Sequence, residues 1–127
     1  MQYESRLIGL SSLIEEEAIL DINGQKFVVF INNCPFEINL GGKYLIETEL
    51  VILDDLTISK SDSEEKCIEQ IEDSFAYSIR GILNVDSGTI DAGILFEVDR
   101  ELLFDYGYLH NQYVQMRVDR LSVDFIG

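Results

Sequence analysis

Residues Ile90, Ala92, Ile94, Phe96 and Val98 fall on every second position of one nine-residue run. A period of two is the repeat of an extended chain, whose successive side chains point to opposite faces, and a helix would scatter these five residues around its circumference. The same pattern recurs in Phe75–Val85, where Phe75, Tyr77, Ile79, Leu83 and Val85 alternate with Ser78, Arg80 and Asn84. It recurs again in 43–54, where Tyr44, Ile46, Leu50 and Ile52 oppose Glu47 and Glu49. This chain is therefore expected to be mainly β.

The turns agree. Asn23-Gly24 stands between Glu17–Ile22 and Gln25–Ile31, and this pair is favoured where both turn residues need positive φ. A two-residue turn there sets Ile22 opposite Gln25, Leu20 opposite Phe27 and Ala18 opposite Val29 on a core face. Asp21 with Lys26 and Ile19 with Val28 then share the other face. A first strand over 5–13 carries Gly9 at the place of a bulge. Cys34-Pro35 interrupts the chain, Gly41-Gly42 opens the strand at 43–54, and Asp86-Ser87-Gly88 turns the strand at 75–85 into the one at 90–98. In the last strand, 112–126, the apolar residues change parity from Val114, Met116 and Val118 to Leu121, Val123 and Phe125. A bulge or sharp bend near Asp119-Arg120 restores their facing.

One stretch departs from this pattern. Between Asp54 and Asp73 the acids Asp54, Asp55, Asp62, Glu64, Glu65, Glu69, Glu72 and Asp73 meet only Lys60 and Lys66, a local net charge of minus six. Ser61 and Glu64 match a capping box, and Cys67, Ile68, Ile71 and Phe75 are spaced as on a helical stripe, so a short helix is expected over 62–73 with Glu65, Glu69 and Glu72 on its outer side. About seven strands and this helix give a single domain over 1–127, an antiparallel barrel or sandwich. Bends, bulges and an inserted helix resemble the small OB-type barrels in architecture.

Charge narrows the function. The chain has 24 acidic and 9 basic residues, a net charge of −15. Such a field attracts cationic partners and repels nucleic acid and anionic lipid, so neither nucleic-acid nor membrane binding is expected. The 46% hydrophobic content with one proline argues against disorder. The N-terminus shows no basic and apolar leader. Cys34 and Cys67 lack paired metal-ligand spacing, which points to two reduced, buried thiols and a cytoplasmic setting, with a single disulfide as the alternative.

Chemistry-bearing patterns are sparse. His110, the one histidine, lies in the loop-like run Tyr106–Asn111, and no serine sits in a nucleophile elbow. Gly41-Gly42 lacks the lysine and hydroxyl of a phosphate loop, and Asp86-x-Gly88 lacks the remaining ligands of a calcium loop. Carboxylate pairs such as Asp54-Asp55 and Glu47/Glu49 arise by chance in so acidic a chain. The expectation is a protein without enzymatic activity, metal or cofactor.

Tyr106, Tyr108 and Tyr113 crowd one segment, and tyrosine is enriched where proteins meet. An interaction domain follows, with partner-binding candidates Glu15, Glu16, Glu17, the eight acids of 54–73 and these three tyrosines. Its most concrete form is a bacterial immunity protein that masks a basic toxin, such as a nuclease. The alternative is a β-barrel or sandwich module that holds a small ligand among Phe, Tyr and Ile side chains. A weaker third form is a nucleic-acid mimic.

Overall fold

The computed structural model describes residues 1–127. Eleven strands run in chain order: β1 (Gln2–Leu10), β2 (Glu17–Ile22), β3 (Gln25–Asn33), β4 (Lys43–Val51), β5 (Ile58–Lys60), β6 (Cys67–Gln70), β7 (Tyr77–Asn84), β8 (Thr89–Asp91), β9 (Leu95–Glu97), β10 (Tyr113–Val118) and β11 (Arg120–Phe125). They form two sheets. Strands β1-β2-β3-β11-β4 close into a ring, and β5-β10-β7-β8-β9 form the second sheet, with β6 also paired to β7. The count exceeds the expected seven because the runs 90–98 and 112–126 are each divided in two, and because β5 and β6 form where a loop and a helix were expected.

The hairpin at Asn23-Gly24 has the expected register at every pair, from Ile22 opposite Gln25 to Ala18 opposite Val29. Both turn residues have positive φ, 53° and 86°. Gly9 stands at a bulge, where the β1–β2 register slips between Leu7 and Gly9. The parity change in the last strand is a change of sheet. Val114, Met116 and Val118 face the second sheet's core, Leu121, Val123 and Phe125 face the ring's core, and Asp119 turns the chain between them. Strand β11 then pairs parallel with β3 and antiparallel with β4, which closes the ring.

Two expectations are corrected. The run 90–98 is a hairpin of two three-residue strands, turned at Gly93, which has φ 95°. The turn preserves the alternation, so Ile90, Ala92, Ile94, Phe96 and Val98 are all buried despite the reversal. The second correction concerns 62–73, which holds β6 and no helix. Ser61 Oγ accepts from the N–H of Ser63 in a local turn instead of capping a helix. Glu64, Glu65, Glu69 and Glu72 would repel one another along a helix, whereas Cys67–Gln70 pairs with the free edge of β7 and buries Ile68. Pairing with a distant strand outweighs the local pattern.

The chain's one helix lies where a plain connection was expected. It is a 3-10 segment, Arg100–Leu109, capped by the Asp99 side chain, which accepts from the N–H of Glu101, and kinked at Tyr106. Three residues per turn align Leu103, Tyr106 and Leu109 on one side. Leu103 and Leu109 are buried, and Tyr106 packs partly buried against the same core.

A single cluster of 26 buried residues runs through both sheets, including Leu20, Phe27, Ile94 and Phe96. Two tyrosine hydroxyls tie the sheets together. Tyr77 Oη donates to Val28 O (2.9 Å) and accepts from Val28 N (2.8 Å). Tyr3 Oη does the same with Leu95, at 2.6 and 3.1 Å. Burial pushes the Tyr77 phenol up to about 12, an effect only partly offset by its bond with Val28.

Strand β7 changes neighbours along one edge, from β6 at Tyr77–Arg80 to β8 at Ile82–Asn84. Gly81 stands at the change. A Cβ there would lie 2.1 Å from the Asp91 carbonyl oxygen, and a backbone atom cannot swing aside. Lys66 Nζ spans the same junction to Asp91 Oδ2 at 2.8 Å. Gly81→Ala is expected to cost at least about 3 kcal/mol, because the β7–β8 pairing must part. Urea unfolding followed by circular dichroism checks this, and a change below about 0.5 kcal/mol would refute the close approach.

Candidate functional site: an acid-rimmed aromatic platform

A folded chain seldom leaves several large apolar side chains in water on neighbouring segments. Here Phe104 is 88% exposed, Tyr108 75%, Leu53 68% and Leu102 42%. The three-residue repeat explains the placement within 100–109. With Leu103, Tyr106 and Leu109 turned inward, the rows Leu102-Asp105-Tyr108 and Glu101-Phe104-Gly107 are left facing solvent.

The loop 52–57 lies against this segment and is held at both ends. Asp119 Oδ2 accepts from Leu53 N at 2.7 Å, and Tyr106 Oη donates to Leu56 O at 2.9 Å. Ile52 and Leu102 line a common shallow cleft of about 210 Å3. These two segments, together termed the platform, expose Leu53, Leu102, Phe104 and Tyr108 as well as the carboxylates of Asp54, Asp55, Glu101 and Asp105.

Asp119 is the hinge of this arrangement. Its other oxygen accepts from Arg117 Nη1 at 2.8 Å. The bond from the Leu53 N–H, followed by that from Arg117, holds its carboxyl below the usual carboxylate range.

The expected site residues divide among several regions. Asp54, Asp55, Tyr106 and Tyr108 meet at the platform, and the Tyr106 and Tyr108 rings lie 6.5 Å apart. Tyr113 instead starts β10, opposite Ile82. Glu15 and Glu16 line a cavity of about 440 Å3 with Leu10, Ile31, Cys34 and Ile38, and Glu17 begins β2. That cavity lies at the ring's opposite end, since β1 rises to Leu10 while antiparallel β4 descends to Val51. Asp62, Glu64, Glu65, Glu69, Glu72 and Asp73 flank or occupy β6, which β10 and β7 separate from β5. Glu65, Glu69 and Glu72 share no helical face, because Glu72 sits in a turn with φ 54°.

Phe104, Leu102 and Leu53 escaped the sequence reading. The available signal was the spacing of Leu103, Tyr106 and Leu109 by three, which is invisible to templates of 3.6 and 2.

The largest cavity, about 660 Å3, lies elsewhere and is polar, with Glu47, Glu49, Glu97, Asp99, Asp124 and Arg100 among its walls. The Met1 ammonium lies 2.6 Å from Glu47 and 3.3 Å from Glu97. Burial disfavours its charge, but the two carboxylates prevail and raise its pKa. No group of three or more His, Cys, Asp and Glu side chains converges as a metal-ligand set. His110 Nδ1 accepts from Val85 N at 3.1 Å, and its Nε2 lies 3.7 Å from Asp86 Oδ2. Both cysteines are free and half-buried. Cys34 Sγ donates to Phe36 O, and Cys67 Sγ to Glu69 Oε1 at 3.2 Å. The hydrogen bond to Glu69, then burial, pushes the Cys67 thiol up, which suppresses its thiolate.

Fold and site together define a mainly β, two-sheet domain that carries an acidic platform. No helix is long and apolar enough to cross a membrane. Residues 1–126 match the family described as Uncharacterised conserved protein UCP019853, and the chain belongs to that family. No curated protein and no solved structure matches the chain.

Two outcomes follow from this geometry. Asp119→Ala is expected to destabilise the protein by about 1–2 kcal/mol at pH 7, through loss of charge-assisted hydrogen bonds. A carboxyl whose folded pKa is depressed stabilises above its unfolded value near ~3.9 and loses that contribution as pH falls through the folded value. The gap between natural protein and variant, measured by urea unfolding, should therefore narrow as the pH falls below the ordinary aspartate range. For Cys67, Glu69→Gln is expected to speed iodoacetamide alkylation at pH 8, read by mass spectrometry. An unchanged rate would deny Glu69 its influence.

Proposed function

We propose that this chain is a protein-interaction domain that captures a basic protein on the platform formed by 52–57 and 100–109. Its most concrete form is a bacterial immunity protein, which neutralises a basic toxin such as a nuclease by covering the toxin's working surface from the cytoplasmic side. The observation that carries the reading is the exposure of Phe104 and Tyr108 on the segment that also exposes Glu101 and Asp105, beside the loop that exposes Asp54 and Asp55. Aromatic anchors beside charged groups match the anatomy of a protein interface, where anchors hold the partner and rim charges steer its approach. The net charge of −15 adds attraction at a distance.

The five-stranded ring resembles an OB-type barrel, with the second sheet inserted between its fourth and last strands. OB-type barrels bind nucleic acid through basic grooves and exposed aromatics. Here the loops at the two ends carry Glu15, Glu16, Asp54 and Asp55, and carboxylates there favour a cationic protein over a phosphate backbone. The small-ligand alternative is the weaker reading. The interior is filled by the core cluster, and the largest cavity is walled mostly by polar side chains.

The test is association with a basic protein encoded beside this chain, by surface plasmon resonance at about 50 and 500 mM NaCl. Neutralising Asp54, Asp55 and Asp105 to Asn is expected to slow association roughly tenfold at low salt and hardly at high salt. Phe104→Ala is expected to speed dissociation by about 30-fold, the loss of a 2 kcal/mol anchor. Kinetics indifferent to both changes would overturn the platform as the binding surface.

A further inference from the structure

The part of the second sheet's outer face that spans β5, β10 and β7 breaks the chain's charge pattern. Across it, Ser59 pairs with Gln115, Gln115 with Arg80 and Arg80 with Cys67. Ser78 pairs with Arg117 in the next row. Thr57, Ser59, Ser78, Arg80, Gln115 and Arg117 line a cavity of about 390 Å3 there, and no carboxylate is among its walls. Every one of these six side chains can donate a hydrogen bond. Met116 is the one further wall, so in a chain with 24 acidic residues a cavity with six donor side chains and no carboxylate is a local inversion of charge.

The two arginines are not equivalent. Arg117 gives Nη1 to Asp119, which leaves part of its fork for another acceptor. Arg80 makes no ion pair, although the sheet holds it half-buried between Gln115 and Cys67. Glu69, the nearest acid in register, stands opposite Ser78 and receives the Cys67 thiol. Arg80 and Arg117 are diagonal neighbours on adjacent strands, roughly 7–8 Å apart at their backbones, within reach of one group for side chains of this length.

We propose that this cavity binds the phosphoryl group of a small molecule, with Arg80 as the principal anchor and Arg117 as the second cation. A planar guanidinium fork matches two oxygens of a tetrahedral oxyanion. The hydroxyls of Thr57, Ser59 and Ser78 and the amide of Gln115 supply the remaining donors. The volume exceeds that of phosphate alone, so a phosphate ester and free phosphate share the chemistry, and the measurement separates them. The site is independent of the acidic platform.

Titration of the 15N-labelled full chain with inorganic phosphate and with a hexose phosphate, at constant ionic strength, provides the test. Saturable shifts are expected at the amides of Ser59, Ser78, Arg80 and Gln115. Arg80→Gln should weaken binding at least tenfold and Arg80→Lys less, while Lys26→Gln, which removes an exposed cation in β3, should leave it unchanged. Tighter binding of the hexose phosphate identifies an ester as the ligand, and equal binding identifies free phosphate. Linear shifts without saturation, equal weakening by Lys26→Gln, or indifference to Arg80→Gln would overturn the site.

Discussion

The turn at Asp119 is the constraint on which the rest of the molecule depends. One continuous stretch, Tyr113–Phe125, serves the second sheet as β10 and the ring as β11, so the ring cannot close without committing the second sheet to its side. The carboxylate at that turn also accepts from Leu53 N, which pins the loop after β4. Tyr106 holds the loop's far end, and the buried row Leu103-Tyr106-Leu109 fixes the segment from which Tyr106 reaches. The platform is thus set by the same residue that joins the sheets. Tyr3 and Tyr77 add two hydroxyl ties between strands that lie far apart in the chain.

Some of this was legible in the residues because it is local or follows a strict period. Asn23-Gly24 dictates its hairpin and register, since few residue pairs accept two positive φ values. The parity switch around Asp119-Arg120 marks a bend, as it must wherever one strand supplies two cores. Alternation alone, however, cannot separate one long strand from a tight hairpin that keeps the same parity, and 90–98 shows the ambiguity. At 62–73 the helical spacing of Cys67, Ile68 and Ile71 is real, but β7 offers an unpaired edge that no local pattern reveals.

The candidate site was legible in part. Tyrosines at 106 and 108 and acids at 54 and 55 are conspicuous, yet their meeting depends on hydrogen bonds across about fifty positions. Phe104 resembles any core phenylalanine until the three-residue period of its segment is recognised. The charge count describes the average surface only. It foretells neither the concentration of acids around the platform nor the donor-lined cavity at Arg80 and Arg117.

Two hydrogen bonds, from Leu53 N to Asp119 and from Tyr106 Oη to Leu56 O, hold the loop 52–57 beside the 3-10 segment, and the use of this acidic surface as the partner-binding face is the central claim. Hydrogen–deuterium exchange of the complex with a basic partner tests this most directly. New protection concentrated in 52–57 and 100–109, with little change at 11–16 and 62–73, is the predicted footprint. Protection centred on 62–73 or on the β1–β2 loop, with the platform exchanging as in the free protein, would contradict it.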